Sequence, residues 1–305
     1  MRLSKKTLIL VAATAVLAVA CADTTVVATV DDAYIDESSV TQLRYSYADA
    51  AVYDAEGFRA DLTNLIYLEA QKSAAEQDFG LTGFDDPERI EAKIADPTED
   101  EAQVFASVQT DPDRTDETAA AVAEQLLIRE AVVAELVSDE VDLADIYENQ
   151  PALLVSVCAR HILVATSEEA EAVKARLDAG EDFAEVANEV SLDTNSVGGE
   201  LPCPVAAADY VEEFSSAAAI LPLGEVSTPV ATQFGWHILV VDDRTGPDSF
   251  EAFVADPTTY LHASVLSELW VPWVNNAIQS ATIEVASQVG TWTYASNGIV
   301  PPPAG

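Results

Sequence analysis

Two apolar runs far apart in the chain, "RHILVAT" at 160–166 and "WHILVVD" at 236–242, share the tetrapeptide His-Ile-Leu-Val and hold two of the three histidines. Each reads as a β-strand, and side chains along a strand alternate between its faces. His161 therefore shares a face with Leu163, and His237 with Leu239 and Val241. As neighbouring central strands of one sheet, the two runs would bring the imidazoles together. A neutral imidazole offers one donor and one acceptor, so two of them can satisfy each other in a core where an unpaired polar group is costly. Such a pair has a bland reading, in which it only stabilises the core, and a functional one, in which it organises a site.

The residues between 151 and 244 read as strand, two helices, a strand-like turn, a third helix and two strands, an α+β module built on a small antiparallel sheet. Thr166 and Glu169 have the spacing of a capping box and open the first helix, Gly180 breaks it, and "EDFAEVANEV" forms the second. "STPVATQFGWHILVV" alternates and turns at Phe234-Gly235, which predicts a hairpin.

Both flanks are helical. "VVATV" predicts a strand, followed by a turn at Asp31-Asp32 and a helix starting near Ser38. Phe58, Leu62, Leu65, Ile66 and Ala70 recur at helical spacing, and a long helix is predicted from about Thr118 to Val137. Three acidic, Pro-containing breaks between Gly80 and Asp116 read as a loosely packed, mobile stretch. From Phe250 to Ile278 the tail reads as one helix with a kink at Pro272, and His262 as an unpartnered helix residue. That helix cannot fold alone. Packing on the amino-terminal helices, with "ATIEVASQVGTW" pairing as a strand with "VVATV", would make a mainly α-helical domain from both chain ends, with the module inserted in it. The closing "IVPPPAG" reads as a disordered end.

The chain carries 53 acidic and 14 basic residues, a net charge of -39, which argues against nucleic acid or anionic lipid as a partner. "MRLSKKTLILVAATAVLAVA" has the basic start, apolar run and small residues of an export signal, and is too short for a comfortable membrane span. "LAVAC" resembles the lipobox of bacterial lipoproteins, which makes Cys21 a lipidation candidate and a membrane anchor, although Ala18 stands where the box carries Leu. Ala18-Val19-Ala20 also reads as an ordinary cleavage site, which would leave the protein secreted or periplasmic. In an exported protein Cys158 and Cys203 are disulfide candidates. Free buried thiols are the alternative, and a zinc set of both cysteines with His161 and His237 is poorly supported by the spacing. No metal and no cofactor is expected.

The order "ARHILV", "AGEDFAEVANEVSLD", "GGEL", "YVEEF", "LPLGEVSTPVATQFGWHILVV" resembles the parvulin family of peptidyl-prolyl cis/trans isomerases over about ninety residues. The whole layout is similar to the exported PrsA and SurA foldases of bacteria. The resemblance implies catalytic roles for His161, Asp193, Thr232 and His237, and a proline-binding pocket from Leu201, Tyr210 and Phe214. Tyr210 stands where the family usually has Met, and Pro202 where a glycine usually follows the "GGDL" motif. "ATSEEAEA" beside His161 has no basic cluster, so phosphoserine-proline selectivity should be absent.

These readings divide the chain into a signal peptide (1–20), a helical chaperone-like region (21–150), a parvulin-like module (151–244) and a carboxy-terminal helix and strand (245–305). The implied function is an extracytoplasmic foldase isomerising X-Pro bonds of unfolded or newly exported proline-containing polypeptides, with chaperone activity. The rival is a non-catalytic holdase with an inactive module.

Overall fold

The computed structural model describes residues 25–48 and 54–303; the segment 1–20, read above as an export signal, and the lipidation candidate Cys21 lie outside them. The architecture is α+β, with a four-stranded module between two helical flanks that pack on each other. Strand β1 (Val26–Val30) turns at Asp31-Asp32 into β2 (Ala33–Asp36), a short strand not anticipated from the sequence. Helix α1 (Glu37–Thr41) follows, and its cap is Asp36 rather than Ser38: the Asp36 carboxylate accepts from the Ser39 amide at 2.8 Å.

The long helix α2 (Ala55–Phe79) ends at Gly80, whose positive φ of 73° closes the last turn. Helix α3 (Pro87–Ala95) buries no residue and α4 (Glu99–Thr110) buries only Phe105; both lie against α5 (Asp116–Glu140). Helix α6 (Leu143–Asn149) leads into the module.

The module comprises β3 (Ser156–Val164), α7 (Ser167–Asp178), α8 (Phe183–Val190), the two-residue β4 (Val205–Ala206), α9 (Glu212–Ile220), β5 (Val230–Thr232) and β6 (Gly235–Thr245). Its sheet runs β4-β3-β6-β5 with every pair antiparallel. Both faces are covered. Ile162, Val164, Ile238 and Val240 pack against α7 and α8, while Val157, Ala159, Leu239 and Val241 pack against Phe214 and Ala218 of α9. The capping box of Thr166 and Glu169 is formed as the spacing predicts.

The tail is not one kinked helix. It breaks into α10 (Phe250–Ala255), α11 (Pro257–Tyr260) and α12 (Ala263–Ser280), because Asp256 and His262 leave helical geometry; Pro272 lies inside α12. His262 is the cap of α12, its ring accepting from the Ser264 amide, with Nε2 3.1 Å from Asp209 of the module. Trp273 of α12 packs with Leu68 and Ala75 of α2 and Ile128, Val132 and Leu136 of α5. Strand β7 (Ile283–Val285) pairs antiparallel with β1 and completes the order β2-β1-β7, so one small sheet joins the two ends of the chain. The last residues also depart from the expected disordered end: β8 (Thr291–Thr293) pairs with β9 (Gly298–Val300), and Ile299 packs on the cluster that holds β1 and α2. No helix among the described residues is long and apolar enough to cross a membrane.

Candidate functional site

Strands β3 and β6 set the centre of the module. In their register His161 lies opposite Leu239 and His237 opposite Leu163, so the two histidines are diagonal neighbours on the face that α9 covers. The rings stack with centroids 5.3 Å apart, and the two Nδ1 atoms are 3.1 Å apart. Both side chains are buried, His161 at 7% exposure and His237 at 5%. Phe214 of α9 stands edge-on to both, at 5.9 Å and 5.4 Å between centroids.

Outer partners hold each ring. Asp193, in the loop after α8, places Oδ2 2.8 Å from Nε2 of His161. Thr232, at the end of β5, places its hydroxyl 2.9 Å from Nε2 of His237 and accepts from the amide of Phe234. A carboxylate only accepts, so Asp193 fixes the hydrogen of a neutral His161 on Nε2 and leaves Nδ1 as acceptor. His237 then donates from Nδ1 and accepts at Nε2 from the Thr232 hydroxyl. All the hydrogen bonds from Phe234 to Asp193 run in one direction, with no donor facing a donor.

The electrostatics support that ordering. Asp193 accepts from the Ser196 hydroxyl at 2.6 Å and the Asn195 amide at 3.1 Å, and these with His161 hold its carboxyl down at about 2. Burial pushes His237 down to about 4, the adjacent His161 adding to the effect and the Asp193 charge opposing it. His237 is thus a neutral ring at ordinary pH.

The loop "SVGGEL" closes the site beneath His161. A Cβ on Gly199 would overlap the carbonyl oxygen of His161, and its φ of 79° suits glycine, so this position admits no side chain. Leu201, Tyr210 and Phe214 belong to one apolar cluster on this face, with Tyr210 and Phe214 ring centroids 4.8 Å apart. The Tyr210 hydroxyl is buried without a hydrogen-bond partner, and burial raises its pKa. The structure therefore gathers His161, Asp193, Thr232, His237, Leu201, Tyr210 and Phe214 into one region.

Cys158 and Cys203 are joined in a disulfide, so the cysteines and histidines of the formal zinc set go to separate structures. Among the described residues no group of three or more His, Cys, Asp and Glu side chains is placed to hold a metal ion. Sequence reasoning missed Ser196 and Ser191. Ser191 Oγ accepts from the amides of Leu163 and Asp193 and ties the loop to β3. The run "SLDTNS", dense in residues that bond their own backbone, was the available signal.

Residues 161–243 match the PPIC-type PPIASE domain of the rotamase family. Foldase protein PrsA of Geobacillus kaustophilus is 40% identical over 127 residues, 41% of this chain and 44% of that protein. The matched part of this chain thus spans less than half of that relative's length. Foldase protein PrsA of Exiguobacterium sibiricum is 30% identical over 220 residues, 70% of this chain and 71% of its own. The crystal structure of the peptidylprolyl isomerase PrsA from Bacillus cereus superposes with a TM-score of 0.40 at 20% identity, covering 80% of this chain and 90% of that one.

Proposed function

Because this chain belongs to the PrsA family of foldases and carries a parvulin-type rotamase domain, we propose that it isomerises X-Pro bonds in polypeptides outside the cytoplasm and holds unfolded clients while doing so. The observation that carries the reading is the one-directional hydrogen-bond chain from Thr232 through His237 and His161 to Asp193, lying against Phe214. Rotation about an X-Pro bond breaks amide resonance and meets a barrier of about 18 to 20 kcal/mol. Each reduction of about 1.4 kcal/mol speeds it tenfold. No covalent step is needed. Leu201, Tyr210 and Phe214 receive the proline ring, and the buried network fixes the electrostatics around the twisted amide. His161 and His237 act as organisers of the pocket, with His237 kept uncharged by burial.

The helical region serves as the client-holding part in this proposal. Its support is kinship with proteins named foldases, together with the sparse burial of α3 and α4. Bound near the module, a client would meet the pocket at raised effective concentration. In this proposal the polypeptide partners are unfolded or newly exported proline-containing chains, and the protein itself carries an export signal at 1–20 and an acyl anchor on Cys21. The working division of the chain is 1–20, 21–150, 151–244 and 245–305.

A protease-free isomerisation assay on a short X-Pro peptide tests the catalytic reading with the full chain. Acceleration is expected. Failure to accelerate, alongside suppression of client aggregation, would leave the holdase.

A further inference from the structure

Between the glycine pair and α9 the chain runs back along β3 as an irregular edge. Glu200 bridges Arg160, and the Leu201 amide donates to the Ala159 carbonyl at 3.1 Å. Val205 and Ala206 then pair with Val157 and Ser156. In between stand Pro202 and Pro204, neither of which has an amide hydrogen to give to the ladder. Backbone pairing is therefore interrupted immediately after Leu201. At that gap Cys203 is bonded to Cys158 of β3.

We propose that the Cys158–Cys203 disulfide is a positioning element of the prolyl site, replacing the missing ladder bonds and holding Leu201 against the pocket. The proposal rests on the isomerase reading given above. Leu201 is fixed on its amino side by main-chain bonds and on its carboxy side by this covalent tie. It packs in the same apolar cluster as Tyr210 and Phe214. Cys203 is exposed, so a dithiol can reach the bond. Two electrons and two protons then pass from the dithiol to the bond, leaving two thiols here and a disulfide on the reductant. The edge from 202 to 204 is freed, and Leu201 loses one of its two anchors. Substrate affinity falls while the histidine network, held by the β3–β6 ladder, β5 and the Asp193 loop, stays in place.

The test compares the oxidised full chain with the chain reduced by dithiothreitol and with the Cys158→Ala/Cys203→Ala variant. KM and kcat are measured on an X-Pro peptide, and amide exchange is followed at Leu201 and Leu239. Loss of one anchor is expected to raise KM about fivefold with kcat nearly unchanged, and to speed exchange at Leu201 but not at Leu239. Equal KM in folded oxidised and reduced protein overturns the proposal. Should the reduced protein and the alanine variant fail to fold, the Cys158→Val/Cys203→Val variant, which removes the bond and fills the space of the lost sulfurs with apolar side chains, is measured in their place; an unchanged KM in that folded variant overturns it equally. Absence of turnover in the oxidised protein defeats the isomerase reading instead, and Leu201 exchange then decides alone: faster on reduction supports the tether, unchanged refutes it.

Discussion

The Thr232 hydroxyl donates to Nε2 of His237, and through that contact a residue on a short edge strand sets the direction of the hydrogen bonds reaching Asp193. Thr232→Val keeps the shape and removes the donor. The expected result is a loss of about tenfold in kcat/KM, equivalent to about 1.4 kcal/mol, with a downfield change in the nitrogen-15 shift of His237 Nε2. Unchanged kinetics would remove Thr232 from the mechanism.

His237→Ala takes the donor from His161 and opens a hole against Phe214. A buried unpaired group together with a cavity costs about 2 to 4 kcal/mol. Urea unfolding should show that loss, and the peptide assay a slower rate. Wild-type turnover in a variant that remains folded would reduce the pair to a core feature.

Acid should weaken the module in two stages. His237 has a folded pKa of about 4, below its usual 6.5, so between those values the unfolded chain binds more protons. Stability is then fully present above about 6.5 and is lost as pH falls towards 4, by on the order of 3 kcal/mol. Asp193, lowered from 3.8 to about 2, withdraws its own contribution over that lower range. Denaturant titrations of the full chain at pH 7, 5.5 and 4 should show the first stage. It should be missing in His237→Ala.

Gly199→Ala would drive a methyl group into the His161 carbonyl and towards Phe183 at a backbone angle that L-residues rarely adopt. A destabilisation of about 2 kcal/mol or more is expected, read by thermal unfolding. A stable, active variant would show that the loop can leave the sheet without harm to the site.

Tyr210→Phe deletes a buried hydroxyl that has no partner. Removing such a group is expected to stabilise the protein by about 1 kcal/mol, measured as a higher urea midpoint with an unchanged slope.

The strands that carry the site are legible because β3 and β6 are long, apolar and each hold one of the chain's few histidines, and because "FG" marks the hairpin of β5 with β6. What escaped was short or conditional. Strand β2, of four residues, carries no period of its own and exists because β1 offers it an edge, and β4, of two residues on the edge of β3, is visible in the sequence only as a strand-like turn. The tail reads as one helix because Tyr260, Leu261, Val265 and Leu269 keep helical spacing across the breaks. Its division at His262 depends on a contact with Leu153, whose carbonyl takes the His262 amide. Strand β9 was hidden by the prolines that follow it, although Ile299 has a core to join. For Ser196 and Ser191 the run "SLDTNS" signals hydroxyls that bond nearby groups but not which groups they face.

The pairing of β1 with β7 means that the first described strand waits for one near the carboxy terminus. During synthesis from the amino terminus, the module can close on itself while the amino-terminal helices still lack Trp273 and Ile283. Through that interval the flank of α2 that Trp273 and Ile283 will cover stays bare, open to whatever neighbour arrives first.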